Sequence, residues 1–412
     1  MSQPLENMDS AQKRALLAAL MVKKARGQYP AMKSNHYFNF GAQGILSKVA
    51  QETIRTSYEE LMEEVPFTVD HQVKAFETMT NCATALATEL GVERKYLSLV
   101  ENTTTGCNTA LWGMNWQAGD HLLYTDCEYP AVVAVIRQLE QRFGISSESW
   151  PIGGHRQMIL DGLDQRIGPR TRMVVLSHIP WNTGTILPLA EISALCKDRS
   201  GGRIRVVVDG AQSAGVLDLN MEALGVDAYA FPGHKWLCGP EGTGCLYVSP
   251  RAHEDICPTF FGPRGCRYST DGDVLGPQPD GRRYESSSTA VPLYRGLAAA
   301  LGLHHKWGSP AKRFERITEL SGYLWKELAR LEQGNLGLTR LQTKAPEAGL
   351  VYVGHAQSTR LSRELERSRV MVRTIPGGGC IRICTHYLTL REEIDHLLKT
   401  LSEACQKVID RA

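Results

Sequence analysis

Residues Val206–Gly215 read VVVDGAQSAG, and after a short connector Asp227–Gly239 read DAYAFPGHKWLCG. Three β-branched residues in a row, ending in Asp209, have the pattern of a buried parallel strand that delivers an acid at its C-terminal edge. Open α/β sheets bind their ligands at that edge. Ala228 to Phe231 reads as a second short strand, and the turn Pro232-Gly233-His234 then presents Lys235 beside Trp236 and Leu237. Apolar neighbours desolvate a lysine, which favours the neutral amine that attacks carbonyls.

An acid at the end of one strand and a lysine just after its neighbour suit pyridoxal phosphate. Its aldehyde takes an amine, and its ring nitrogen is held protonated by an anion. A salt-bridged Asp and a surface Lys on an ordinary doubly wound sheet would give the same pair, so the flanking stretches carry weight.

The chain has 412 residues, enough for a large α/β domain with a smaller companion. At 42% hydrophobic and 22% charged residues its composition is that of an ordinary globular protein. A net charge of +2, with no basic run interleaved with aromatics, gives no reason to expect nucleic acid. No apolar run approaches the roughly 20 residues of a membrane span. Eleven cysteines, scattered and without a CxxC pair, propose neither a disulfide framework nor a zinc site; they fit a reducing compartment, and no metal is expected. Ala15 to Val22 follows Lys13 and Arg14 but is short and lacks a cleavage site, so an amphipathic helix is expected there rather than a leader.

From the N-terminus, a helical arm is expected with Leu16, Leu17, Leu20 and Met21 on one face, docking on the body or on a partner subunit. His36 to Leu46, HYFNFGAQGIL, reads as a strand entering a loop in which Gly41 and Gly44 permit close approach and Asn39 and Gln43 offer amides. This is either a tight turn or a substrate-facing loop. Gln51 to Leu90 is helical in pattern with a break near Pro66. Leu97 to Val100 reads as a strand, then Glu101 to Gly106, then a helix from Cys107; a threonine N-cap would account for one of Thr103, Thr104 and Thr105, and three in a row at that junction point to a phosphate site. Strands follow at His121–Thr125, before Tyr129, and at Met173–His178, before Asn182; Gly244–Val248 completes the sheet. Arg251 to Arg283 reads as a long surface excursion over the active site. Strands near Gly349–Val353, Val370–Thr374 and Cys380–Cys384 mark a C-terminal domain.

The order D-G-A-Q-S then G-H-K-W resembles the class V aminotransferase family, which includes the cysteine desulfurases. Within it, YFNFGAQGIL, NTTTGC, LWGMNW, TDCEYP, LSHIPWNTG, VDGAQSAG, GHKW and CIRICTHY are similar to the L-cysteine/L-cystine C–S lyases of cyanobacterial type. The resemblance implies an α/β, fold type I enzyme with a mainly parallel sheet. It implies an arm over residues 1–35, a large cofactor domain over 36–297 and a small α+β domain over 298–412. Lys235 would bind pyridoxal 5'-phosphate and Asp209 its ring nitrogen. Gln212 and Asn182 would lie near the phenolic oxygen, Tyr129 on the ring face, and Thr104, Thr105 and His234 on the phosphate. Ser288 would reach in from the other subunit of a homodimer.

By the same resemblance Arg373 and Arg382 would grip the substrate carboxylate, with Gln43 nearby; each arginine could equally be a surface ion pair. The implied reaction is β-elimination on cystine or cysteine in the cytoplasm, releasing sulfur for iron–sulfur assembly. Desulfuration through Cys380, epimerisation, selenocysteine lysis and non-catalytic cofactor binding are the alternatives. Two positions depart from the pattern: Tyr129 stands where the lyases have histidine, and Pro232 where a hydroxyl residue helps hold the phosphate.

Overall fold

The computed structural model describes Asp9 and residues 19–410. Residues 19–26 are helical, with Leu20 and Met21 on its exposed side; Leu16 and Leu17 lie outside the described residues. The chain then runs through β1 (His36–Tyr37) into helices Lys48–Glu63 and Val69–Leu90, which bracket the break at Pro66.

The central sheet comprises β2 (Leu97–Val100), β3 (His121–Thr125), β4 (Ser146–Trp150), β5 (Thr171–Ser177), β6 (Arg205–Asp209), β7 (Ala228–Pro232) and β8 (Gly244–Val248). Their order is β2-β8-β7-β6-β5-β3-β4. The run from β4 to β7 is parallel and β8 alone opposes its neighbours, which gives the mainly parallel α/β sheet expected. Every residue of β6 and β7 is buried, as continuous apolar runs demand when helices cover both sheet faces. β4 was not visible in the sequence: SSESW is a polar edge strand with only Trp150 buried, so it carries no apolar signature.

The 251–283 excursion contains a hairpin of β9 (Cys266–Tyr268) and β10 (Val274–Pro277). Beyond it, β11 (Thr339–Arg340), β12 (Leu350–Gly354), β14 (Arg373–Ile375) and β15 (Cys380–Cys384) form an antiparallel sheet ordered β11-β12-β15-β14, while β13 (Val370–Met371) pairs in parallel with β1. Phe38, just after β1, is packed among Val351, Ile381 and Ile383 of this second sheet. Leu320, Leu324, Leu361 and Leu397 from the covering helices complete that core.

Two long helices from opposite ends of the chain are joined by a buried ion pair. Glu89, on Val69–Leu90, accepts from Arg313 Nη2 at 2.7 and 2.5 Å, and from His305 Nε2 at 2.8 Å. Removing one partner of such a pair strands a buried charge, at a cost of roughly 3–5 kcal/mol. Glu89→Ala is therefore expected to lower the unfolding free energy by about that amount, measured by urea denaturation.

Candidate active site

The C-terminal ends of the parallel strands surround a cavity of about 220 Å³. Three strands contribute a wall residue, Ser177 from β5, Asp209 from β6 and Pro232 from β7, joined by Tyr129, Trp181, His234 and Lys235 from loops beyond strand ends. Asp209 and Lys235 thus come from adjacent strands and face one space. Asp209 is buried and its Oδ1 accepts from Ala211 N at 2.8 Å. Burial pushes its carboxyl above the ordinary range, opposed by the Lys235 charge and the Ala211 N–H. Burial likewise pulls the Lys235 amine down, opposed by Asp209 and assisted by Arg382.

The Thr103–Gly113 helix points its N-terminus at the same cavity. It begins four residues before the expected start at Cys107, because Asn102 rather than a threonine is its N-cap: Asn102 Oδ1 accepts from Thr105 N at 2.8 Å. Thr105 Oγ1 also donates to that oxygen, at 3.3 Å, and does not line the cavity. Thr103 and Thr104 do, so the first N–H groups of the helix stand at its edge, where an anion binds. His234 Nδ1 is buried without a hydrogen-bond partner among the described residues, as is Asn182 Oδ1. Asn182 lies one residue behind the wall, against Cys127.

Gln212 is held from both sides. Its Nε2 donates to Gly41 O at 2.8 Å and its Oε1 accepts from Trp236 Nε1 at 2.9 Å, which leaves its second N–H for the cavity. The loop after β1 has to approach closely. A Cβ on Gly41 would sit 2.8 Å from Gln212 Oε1 and 3.0 Å from the Arg382 guanidinium, and one on Gly44 only 2.1 Å from Lys235 O. Gln43 is half-buried, its carbonyl taken by Tyr37 Oη at 2.7 Å, and its neighbour Ala42 reaches the cavity instead.

Arg373 and Arg382 are direct cross-strand partners on β14 and β15. Arg382 is buried and donates Nη1 to Trp181 O at 3.0 Å, an oxygen that also accepts from Tyr352 Oη at 2.8 Å; Arg373 is exposed. Tyr129 is half-exposed and meets the Trp181 ring edge-on, centroids 5.8 Å apart. Ser288 is elsewhere, exposed in a separate cleft of about 670 Å³ with Phe67 and Phe76. No described residue of the 251–283 excursion lines the Lys235 cavity, so the expected cover over the site is not seen.

Sequence reading passed over Ser177, Trp181 and Glu128. Ser177 ends a strand, which was signal enough. Glu128 is buried behind the wall, accepting from Ser177 N at 2.8 Å, from Ser177 Oγ at 2.9 Å and from Thr125 Oγ1. Burial pushes its carboxyl up to about 7, and the nearby Asp209 adds to the shift.

The class V aminotransferase profile matches residues 38–399. The chain belongs to that family. Isopenicillin N epimerase of Streptomyces clavuligerus is 28% identical over 396 residues, 92% of this chain and 97% of its own. A probable cysteine desulfurase of Xylella fastidiosa is 29% identical over 300 residues, 71% of this chain and 70% of its own. Among solved structures, the cystine C–S lyase C-DES in complex with its reaction product cysteine persulfide superposes with a TM-score of 0.86 at 40% identity, covering 91% of this chain and 99% of that one. A lysine-to-alanine mutant of C-DES, with glycine covalently linked to its PLP cofactor, gives a TM-score of 0.87 over 92% and 99%.

This class V aminotransferase is a pyridoxal-phosphate enzyme of fold type I. The residues present fit the cofactor: an amine and a carboxyl face one cavity, the first residues of a helix border it, and the buried Nδ1 of His234 has no partner among the described residues. Lys235, Asp209 and the Thr103–Thr104 edge would hold it.

Two predictions follow from this geometry. Gly44→Ala forces the Lys235 carbonyl away, and a displacement of about 1 Å at a reacting group costs on the order of 100-fold. Turnover of the cofactor-loaded protein should fall by that order, in a protein that still melts cooperatively.

Glu128, raised in the fold to about 7 against an ordinary 4.5, binds its proton more tightly when folded. Its stabilising contribution is complete below pH 4.5 and is lost as pH rises through 7, a fall of roughly 3 kcal/mol. Glu128→Gln should remove that fall from the unfolding free energy of the cofactor-free protein, read by denaturant titration between pH 5 and about 8.

Proposed function

We propose that this enzyme is a C–S lyase that eliminates sulfur from cystine or cysteine, giving pyruvate, ammonia and a persulfide or sulfide. The observation that carries the reading is Cys380. A desulfurase takes sulfur onto a mobile, nucleophilic thiol. Cys380 opens β15, paired with Ile375 across a turn of only Pro376 to Gly379, and it is buried, with its thiol pushed upward by that burial. The likeness to C-DES, at 40% identity over nearly its whole length, supports the same reading.

The roles divide among the residues described. Bound pyridoxal phosphate supplies an aldehyde for the substrate amine and an electron-poor ring beside Cα. Lys235, whose amine burial pulls below its ordinary range, would hold the cofactor and take the Cα proton. Asp209, anchored by Ala211 N–H, would supply the negative charge that keeps the ring nitrogen protonated. Gln212 and Asn182 would serve the phenolic oxygen, Tyr129 the ring face, and Thr104 and His234 the phosphate, while Thr105, whose N–H and hydroxyl both go to Asn102, would hold the cap of that helix. Arg382, already turned toward Gln212 and Gly41, binds the substrate carboxylate; Arg373, beside it in register, and Gln43 support that contact. Cystine should react more readily than cysteine, because a persulfide is the better-stabilised leaving group.

Ser288 acts in the site of a second copy. Its cleft is bordered by Phe67 and Phe76, both more than half exposed, apolar surface of the kind that marks an interface. Residues 36–297 and 298–412 divide as cofactor-binding and small domains. Eleven unpaired thiols suit a cytoplasmic enzyme feeding iron–sulfur assembly, and among the described residues no helix is long and apolar enough to cross a membrane.

Lys235→Ala should lose turnover by a factor on the order of 10³ or more, while Cys380→Ala retains pyruvate release from cystine at near the parent rate. A desulfurase would lose turnover in both. Isopenicillin N epimerase, similar over 92% of the chain, keeps stereochemical inversion in view; polarimetry without pyruvate formation would favour it.

A further inference from the structure

The turn carrying Lys235 has five consecutive carbonyls, Gly233 to Leu237, and every one meets a donor. Backbone N–H groups meet the first three: Gly239 N at 2.9 Å, Gly44 N at 2.6 Å and Cys238 N at 3.0 Å. Imidazoles from distant parts of the chain meet the last two. His386 Nε2 lies 3.1 Å from Trp236 O, and His304 Nε2 lies 2.9 Å from Leu237 O. A carbonyl oxygen only accepts, so both rings carry their proton on Nε2.

Neither ring has room for a second proton. His386 Nδ1 already accepts from Leu388 N at 3.4 Å, and His304 Nδ1 is buried with no partner among the described residues. The rings lie 6.0 Å apart with Tyr387 against both, and the neighbouring charges are Arg313 and His305, each held by Glu89. Burial drives His386 down to about 3 and His304 well below its ordinary value.

His386 also stacks on Phe40, centroids 4.2 Å apart at 13°, and Phe40 lies in the loop that carries Gly41 and Gly44. Four residues before His386 stands Arg382, on β15. The ring therefore ties the strand bearing the arginine to the turn bearing the lysine.

We propose that His386 and His304 are positioning residues that set where the Lys235 amine sits in the cavity, His386 also fixing its register with Arg382. The proposal rests on the reading of Lys235 and Arg382 given above. It is tested first on the unaltered holoenzyme labelled with 15N-histidine. Both rings should appear by NMR as neutral Nε2–H tautomers from about pH 8 to about 5.5. Either ring as the Nδ1–H tautomer, or protonated at about pH 6, overturns it.

Two variants then separate donation from packing. His386→Phe keeps a ring against Phe40 but leaves Trp236 O without a donor; His386→Gln keeps an N–H. The Phe variant should move the pH midpoint of the visible lysine-bound cofactor band by about half a unit and raise KM roughly fivefold, and the Gln variant should recover most of both. A folded Phe variant with the parent midpoint and KM overturns the proposal, as does a Gln variant equally impaired. Should the Phe variant not melt cooperatively, His304→Gln against His304→Phe decides by the same two readouts. Absence of any visible band in the parent holoenzyme would instead refute the Lys235 reading, with the tautomers still standing as a separate result.

Discussion

A half-buried amine on the turn after β7 and a buried carboxyl at the end of β6 form the constraint to which the other parts of this site conform. Either group alone in so dry a place would shed its charge. Asp209 and Lys235 each show that pressure, one raised and one lowered, and each is the counterweight named in the other's shift. The pair is tolerable because every strand of this sheet but β8 ends on one side, where helix N-termini and loop amides are the available solvation. Ala211 N–H supplies it to Asp209 and the Thr103–Gly113 helix to any anion that enters.

A second wall comes from the other end of the chain, and the loop after β1 joins the two. Arg382 and Tyr352, from the small sheet, close on one carbonyl of the large domain, Trp181 O. The loop at Gly41 and Gly44 fills the seam so tightly that no side chain fits at either position. Phe40 completes it, stacked on His386 and lying near Trp236. A change in any one of these three segments is therefore felt by the lysine turn, although none is near it in sequence.

This explains which features were legible in the residues alone. β6 and β7, with Asp209 and Lys235 at their ends, are continuous apolar runs ending in a charge, and burial on both faces permits little else. β4 was hidden because an edge strand exposes its residues, and the helix start at Thr103 because Asn102 looked like part of a phosphate loop rather than a cap. Trp181, Glu128, His304 and His386 act through partners tens to hundreds of residues away, and no local spacing announces such contacts. Arg373 and Arg382 were read as a pair, and their register on β14 and β15 is direct, yet only the buried member touches the large domain. Which of two adjacent arginines turns inward is decided by tertiary packing.

The fate of sulfur can be argued from the same strand. Cys380 and Arg382 are two residues apart on β15, so their side chains share a face and their backbones share one ladder with β12 and β14. Presenting the thiol to a substrate would require the start of β15 to leave that ladder, with only Pro376 to Gly379 between it and β14. Unzipping Cys380 would also loosen Arg382 from Trp181 O and from its place beside Gln212. The motion that exposed a sulfur acceptor would thus release the carboxylate being held. The lyase proposed above makes no such demand: its sulfur leaves with the substrate's own leaving group, and β15 keeps its ladder with β12 and β14 throughout.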